Sequence, residues 1–141
     1  MRKLISGIAV VVASMAATPV LAGDYAVIVN KGNGNALDKA EVAKIYKGEL
    51  TSWPDGNSIV VYDLPDNNPT RIAFDQEVAD KSVSQMKGLW AVLVFTGKGV
   101  PPKKFDTDED LRKAVASNKN AIGYIHSSSA DGSVKVIKLS P

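Results

Sequence analysis

A single α/β domain, with a mixed β-sheet flanked by helices, is the fold class that this sequence predicts. Short runs of β-branched and other apolar residues, the first at residues 25–29, have the length and composition of buried strands. Segments with helical spacing of apolar residues and recognisable caps separate these runs. Because strands that alternate with helices form a mostly parallel or mixed sheet, helices are expected to cover its faces.

The first half of the domain contains start and stop signals for two helices around a second strand. Asp38, with a glutamate three residues later, has the pattern of a capping box. Gly48 is a natural C-terminal stop for the helix that follows this cap. Residues 59–62 predict a buried strand. Pro69 fits the first position of the next helix, where its missing N–H is best tolerated.

The second half predicts two more helices and two more strands. Ser82 caps a third helix whose apolar residues follow helical spacing, and a stretch rich in glycine and proline, residues 95–102, ends it. Thr107 begins a fourth helix with acidic residues in its first turn. Residues 121–125 predict a strand, and residues 134–139 predict an edge strand with lysines outward. We expect four or five strands, with three segments together in one sheet: 26–29, 59–61 and 122–124.

The N-terminus has the three-part layout of a secretory signal peptide. A basic start, residues 1–3, precedes an apolar stretch at residues 4–17, and small residues lead up to Ala22. A transmembrane anchor is the alternative, but the apolar stretch is shorter than the roughly 20 residues that a bilayer span requires. We therefore expect cleavage after Ala22, giving a signal peptide at residues 1–22 and a periplasmic domain at residues 23–141 that is not inserted in the membrane.

Charge and composition exclude several kinds of function. Removing Arg2 and Lys3 from the 17 basic residues leaves 15, which equals the 15 acidic residues, so the mature chain is formally neutral. A neutral chain has no general attraction for nucleic acids. The sequence has no cysteine and one histidine, which excludes disulfides, thiol nucleophiles and thiolate metal sites and leaves little for an imidazole site. No cofactor, metal site or catalytic residue is predicted.

The polar loop that follows the second strand predicts an anion site. Residues 64–68 lead directly into the helix that begins at Pro69, and the first N–H groups of a helix lie unpaired at the positive end of its dipole. Such an end binds anions readily. The alternative interpretation is an ordinary helix start with a solvent-facing Arg71.

Three other segments have weaker functional interpretations. Residues 30–35 form either a second anion-facing loop or, as is favoured, a plain connection between a strand and a helix. They lack the third glycine of a dinucleotide-binding site. Residues 96–99 follow a helix instead of a strand, which favours a mobile connection over a phosphate loop. His126 and Ser127 are adjacent on a strand and therefore point to opposite faces, unlike a nucleophile and its base.

Three segments, in order along the chain, resemble the periplasmic phosphate-binding proteins, which are the soluble receptors of phosphate ABC transporters. These segments are the helix end and turn at residues 45–53, the strand, loop and helix at residues 59–74, and Ala-Ile-Gly-Tyr at residues 121–124. The resemblance implies one lobe of a type 2 periplasmic binding protein. It also implies a non-catalytic function, which is binding of a small oxyanion such as phosphate in association with ABC-type transport.

The resemblance also identifies candidate ligand-binding residues. In the family, a loop of the form Asp-Gly-Ser-Gly-Thr holds phosphate through hydroxyl and amide groups. The matching positions here are Asp66, Asn67, Asn68, Pro69 and Thr70. Leu64 stands where the family has an arginine, and Pro69 replaces a glycine and removes one backbone donor. The implied ligand-binding residues are Asn67, Asn68, Thr70 and Arg71, with Asn68 and Arg71 at the rim.

Two further functions remain open. One is a protein-interaction module that keeps the binding-protein fold without its ligand. The other is a hydrolase, which ranks last because no nucleophile, metal cluster or activated base is visible. Since the two-lobed receptors clamp their ligand between lobes, a transporter or a second copy is expected to cover the site of this shorter chain.

Overall fold

The computed structural model describes residues 24–139, so the predicted signal peptide lies outside the described residues. Within residues 24–139, no helix is long and apolar enough to cross a membrane. The elements, in chain order, are β1 Tyr25–Val29, α1 Lys39–Tyr46, β2 Val60–Asp63, α2 Pro69–Val78, α3 Val83–Phe95, β3 Lys103–Lys104, α4 Asp108–Ser117, β4 Ala121–His126, a 3-10 turn Ser127–Ser129 and β5 Lys135–Ile137.

The sheet is mixed and has five strands in the order β3-β2-β4-β1-β5. Strand β2 is parallel to both β3 and β4, whereas β1 is antiparallel to β4 and β5. The predicted mixed sheet is therefore confirmed, although its second strand begins at Val60 instead of Ile59. The edge position of β5 is also confirmed. Strand β3 was not predicted, because two residues are too few to show an alternating pattern.

Local sequence signals determine where the helices begin and end. At α1, the Asp38 carboxylate accepts from the Glu41 N–H at 2.8 Å, and the Glu41 carboxylate accepts from the Asp38 N–H at 3.0 Å. The chain leaves α1 through Gly48, whose φ of 77° is a left-handed conformation that favours glycine. Ser82 and Thr107 cap α3 and α4 as predicted.

Two layers of side chains cover the two faces of the sheet. Gly123 of β4 faces α4, and a Cβ atom there would overlap the Leu111 side chain. The next residue, Tyr124, points to the opposite face, where its ring stacks on Phe74 of α2 with centroids 3.8 Å apart. The Tyr46 ring of α1 contacts the same Phe74 ring edge-on at 4.9 Å. Helix α4 therefore packs on one face, and α1 and α2 pack on the other.

Helix α3 packs against α2 and leaves much of its own apolar surface exposed. Met86 is buried as predicted, whereas Trp90 and Leu93 of the same expected core face are only partly buried. Phe95 is 92% exposed. We call the exposed apolar residues at the C-terminal end of α3 and in the loop after it the α3 apolar surface: Val92, Val94, Phe95 and Val100.

Candidate anion-binding site

The candidate site lies where β2 ends and α2 begins. Asp63 is the last residue of β2, and a five-residue loop leads from it to Pro69. Because β2 and β3 are parallel, Lys104 at the end of β3 lies at the same edge of the sheet, paired in register with Asp63. In open α/β sheets, ligands bind outside the carboxyl ends of the strands. The fold therefore places the predicted loop where such sites occur.

The first turn of α2 satisfies most of its own backbone N–H groups. Asn68 is the N-cap, and its side-chain oxygen accepts from the Thr70 N–H at 2.8 Å. The Asn68 N–H donates to the Pro65 carbonyl at 3.0 Å, and Pro69 has no N–H. Among residues 24–139, the Arg71 N–H has no acceptor. Backbone donors for an anion are thus fewer here than in a glycine-based loop.

Side chains supply the remaining donors at this turn. The Thr70 hydroxyl is half-buried and makes no hydrogen bond with the described part of the chain. Asn67 is exposed, and the Asn68 amide nitrogen has no acceptor among the same residues. One hydroxyl and two amide groups therefore lie within one turn of the positive end of the α2 dipole.

Arg71 is buried, in contrast to the rim position expected from the sequence. Its side chain is 4% exposed, and its Nη1 atom donates to Asp66 Oδ1 at 2.7 Å and to the Leu64 carbonyl at 3.1 Å. Its Nε atom donates to Asp75 Oδ2, four residues later on α2, at 3.2 Å. The Nη1 group thus lies beside Leu64, the position where the resemblance implies an arginine, and the Nε and Nη1 donors are taken up by acceptors of the protein itself.

Three cations converge on the carboxylate of Asp66. Arg71 Nη1 lies 2.7 Å away, Lys104 Nζ 2.6 Å away and Lys87 Nζ 2.9 Å away. Hydrogen bonds from Lys104 and Lys87 hold the pKa of the Asp66 carboxyl well below its usual range. Because both lysines are about half exposed, these pairs add little stability. With Asp63 and Asp75, which also pair with Arg71, three carboxylates balance the three cations beside α2.

Two buried carboxylates, Asp63 and Asp75, share the positive charge of Arg71. Asp63 accepts from the Tyr124 hydroxyl and from the Leu64 N–H. Burial raises the pKa of Asp63, although Arg71 opposes the change. Burial, and then repulsion from Asp63, raises the pKa of Asp75 to about 6. The cluster therefore takes up a proton more readily than ordinary aspartates do.

Two cavities near the sheet differ in the charge of the residues that line them. One, of about 220 Å³, opens between α2, α3 and β3 and is bordered by Arg71, Lys87 and Lys104. A larger recess of about 590 Å³ lies beside β5, but Lys138 is the one charged residue in its described lining. Since oxyanion recognition requires several convergent donors or charges, the smaller cavity is the relevant one of the two, although Arg71 is the only one of the four candidate residues in its described lining.

Within residues 24–139, one group of hydrogen-bonded side chains resembles catalytic machinery. It consists of Asp24, His126 and Ser128. His126 Nε2 lies 3.0 Å from Asp24 Oδ2, and His126 Nδ1 lies 2.8 Å from Ser128 Oγ. The Ser128 N–H also donates to Nδ1, which makes His126 the cap of the 3-10 turn. All three side chains are substantially exposed to water, so the arrangement stabilises a turn. No cluster of three potential metal ligands occurs in the described range.

Comparisons with known proteins agree with this architecture. A family model described as "PBP superfamily domain" matches residues 3–138. A phosphate ABC transporter substrate-binding protein from Clostridium perfringens, solved with bound phosphate, is similar at 30% identity and a TM-score of 0.67. An ABC-type phosphate transport receptor from Vibrio cholerae is similar at 22% identity and a TM-score of 0.60. The similarity covers 82% of this chain but only 44% and 46% of those two chains, respectively. No curated protein matches.

Proposed function

This chain belongs to the PBP superfamily domain family, and from that premise we propose that it binds a small oxyanion, phosphate first among them, in the periplasm. The family and its solved neighbours are binding proteins, so the chain is a binding domain and not an enzyme. Its association with ABC-type transport is part of the same proposal, because this chain spans less than half the length of those neighbours.

The observation that carries the proposal is the position of the α2 N-terminus beside clustered cations. A neighbour with 30% identity contains bound phosphate, and this chain matches it over most of its own length. In this chain, a short loop joins the carboxyl end of β2 to α2. The ammonium groups of Lys87 and Lys104 contact the carboxylate of Asp66 in that loop. A helix N-terminus and nearby cations both favour an anion.

The four candidate residues have different roles in this proposal. The Thr70 hydroxyl and the Arg71 N–H donate directly to the oxyanion, and the side-chain amides of Asn67 and Asn68 donate from the rim. The Arg71 guanidinium acts mainly through its positive charge, because its Nε and Nη1 donors are engaged by Asp75, Asp66 and the Leu64 carbonyl. Direct contacts therefore number fewer than in a loop that offers several backbone amides.

Calorimetric titration with phosphate tests the site, with Thr70→Ala as the decisive variant. Loss of a hydrogen bond to a charged group weakens binding by about 1.5–3 kcal/mol, or about ten- to a hundredfold. Thr51→Ala is the matched control, because Thr51 is exposed and lies outside the candidate site. Equal phosphate affinity for the two variants would place the binding site elsewhere.

Export is the second part of the proposal. The three-part N-terminal layout supports removal of residues 1–22 and release into the periplasm. Intact-mass measurement of the protein released by osmotic shock should give a chain that begins at Gly23. Retention of Met1 in a membrane fraction would contradict export through a cleaved signal peptide.

A protein-interaction module is the second candidate, and the α3 apolar surface favours it. Exposed apolar surface of this kind is typical of sites that contact another protein. Phe95, at 92% exposure, is its most accessible large side chain. A thermal-shift screen with phosphate, sulfate and small carboxylates separates the two functions, since a module without a ligand should not be stabilised by any of them.

A further inference from the structure

The cavity beside Arg71 has two chemically different sides. One side is cationic and consists of Arg71, Lys87 and Lys104. The other side is apolar and consists of Met86, Trp90, Pro101 and Pro102. Residues from α2, α3, β3 and the loop before β3 therefore meet around one space of about 220 Å³. Mixed lining of this kind, mostly apolar with a few placed charges, is typical of sites for small organic molecules.

Three cations line the cavity with one carboxylate, whereas Asp66 and Asp75, which pair with the same cations, lie outside its lining. Asp63 is the one carboxylate in the lining, and it is buried, held by the Tyr124 hydroxyl and the Leu64 N–H. Arg71 Nε lies 3.7 Å from Asp63 Oδ1 and offsets its charge. Lys87 and Lys104 are about half exposed, so an incoming anion can compete with Asp66 for their ammonium groups.

The apolar residues of the cavity lining make no favourable contact with an inorganic oxyanion. Met86 is 2% exposed and fixes the floor of this side. Trp90 is anchored by a 2.8 Å hydrogen bond from its indole N–H to the Tyr46 carbonyl. Part of its six-membered ring packs against Gly48 and Gly99, and the residue also lines the cavity. Two consecutive prolines add a rigid wall. A ligand that covers these groups gains apolar burial that inorganic phosphate cannot provide.

We propose that this cavity binds an organic oxyanion, in which the anionic head group lies against the cations and an apolar substituent lies against Trp90 and the prolines. The proposal rests on the oxyanion function argued above and narrows its ligand class to organic phosphates and phosphonates. The head group lies against Arg71, Lys87 and Lys104, and the substituent lies against α3 and the loop before β3.

The test compares three ligands on the purified full chain by calorimetry at one pH and one salt concentration. Inorganic phosphate, methylphosphonate and phenylphosphonate share an anionic head group and differ in the attached apolar group. We expect phenylphosphonate to bind at least about tenfold more tightly than methylphosphonate. Lys104→Gln should weaken phenylphosphonate binding, whereas Lys103→Gln, its neighbour on β3 outside the cavity lining, should not.

The two tryptophans provide a second measurement that does not depend on a variant. In a ¹H–¹⁵N spectrum, the Trp90 indole signal should shift with phenylphosphonate. The Trp53 indole donates to the Asn120 carbonyl and is not part of the cavity lining, so its signal should stay in place. Phosphate binding with no gain from the phenyl group and no Trp90 shift would overturn the organic-ligand inference alone. Failure of all three ligands to bind the folded chain would overturn the oxyanion function as well.

Discussion

Replacing Arg71 by methionine removes the single cation between two buried carboxylates. Arg71 is 3% exposed, Asp63 is 5% exposed and Asp75 is 1% exposed, so hydration of the two carboxylates only partly replaces the arginine. Methionine keeps a long apolar stem but has no charge and no strong donors. The variant therefore leaves Asp75 without its charged partner, whereas Asp63 keeps the hydrogen bonds from the Tyr124 hydroxyl and the Leu64 N–H.

The expected loss at pH 7.5 is about 3–5 kcal/mol in the free energy of unfolding, the range for breaking a buried ion pair from one side. The pair with Asp66 contributes little to this figure, because that carboxylate is about one-third exposed and keeps two lysines. A small domain has a total stability of only about 5–15 kcal/mol, so the loss is a large fraction of it.

The loss should shrink as the pH falls. Asp75 has a folded-state pKa of about 6 against 3.8 for an ordinary aspartate, so the folded state binds this proton more tightly than the unfolded state. The stability that Asp75 gains from binding this proton is fully present below pH 3.8 and is lost as the pH rises through about 6. Without Arg71, which lowers the pKa of both Asp63 and Asp75, this window moves to higher pH.

Urea unfolding at pH 7.5 and pH 5 measures both effects. Lys87→Met is the matched control, because Lys87 is 56% exposed and its pair with Asp66 should contribute less than about 1 kcal/mol. If Arg71→Met is too unstable to measure, adding Asp75→Asn should recover stability by removing the carboxylate that has lost its charged partner. A loss below about 1 kcal/mol at pH 7.5, or a loss that grows on acidification, would refute the reasoning.

Three more predictions concern packing, capping and affinity. Gly123→Ala should destabilise the domain by about 1–3 kcal/mol in urea unfolding, because the new methyl group would overlap the Leu111 side chain on α4. Asp38→Ala should lose about 1 kcal/mol in the same assay by removing the capping box of α1, and Asp106→Ala, at an exposed aspartate, is its control. Phosphate should bind the monomer weakly, with a Kd on the order of 0.1 mM or higher, because the site is open on one side and has few direct donors. Calorimetry with sedimentation on the same sample checks this value, and micromolar binding by a strict monomer would contradict it.

The helices and most strands were predictable because their signals are local. Capping residues such as Asp38, Ser82 and Thr107 act within one turn of the chain. Pro69 likewise begins α2 as predicted, because its fixed φ suits the first helical position. The α3 face was predicted less well, since helical spacing shows that a helix has an apolar side but not whether a neighbour covers it.

The burial of Arg71 was not predictable from composition, because arginine is mostly exposed in folded proteins. One signal was available: Asp75 lies four residues after Arg71, a spacing that pairs side chains on a helix. Asp63 as a further partner follows only from the position of β2 beside α2. The arrangement around Asp66 likewise requires the fold, since Lys104 is 38 positions away along the chain.

The sequence by itself determined an α/β domain, the order of its main elements and a polar loop that opens into α2. Those features depend on residue spacing within a few positions, which the chain carries wherever it folds. The tertiary structure decided which charges meet at that loop. Parallel pairing of β2 with β3 places Lys104 beside Asp66, and the packing of α3 on α2 adds Lys87 and the apolar wall around Trp90. Electrostatic and apolar contacts act through space, so their combination in one cavity exists only once the sheet has brought distant segments together.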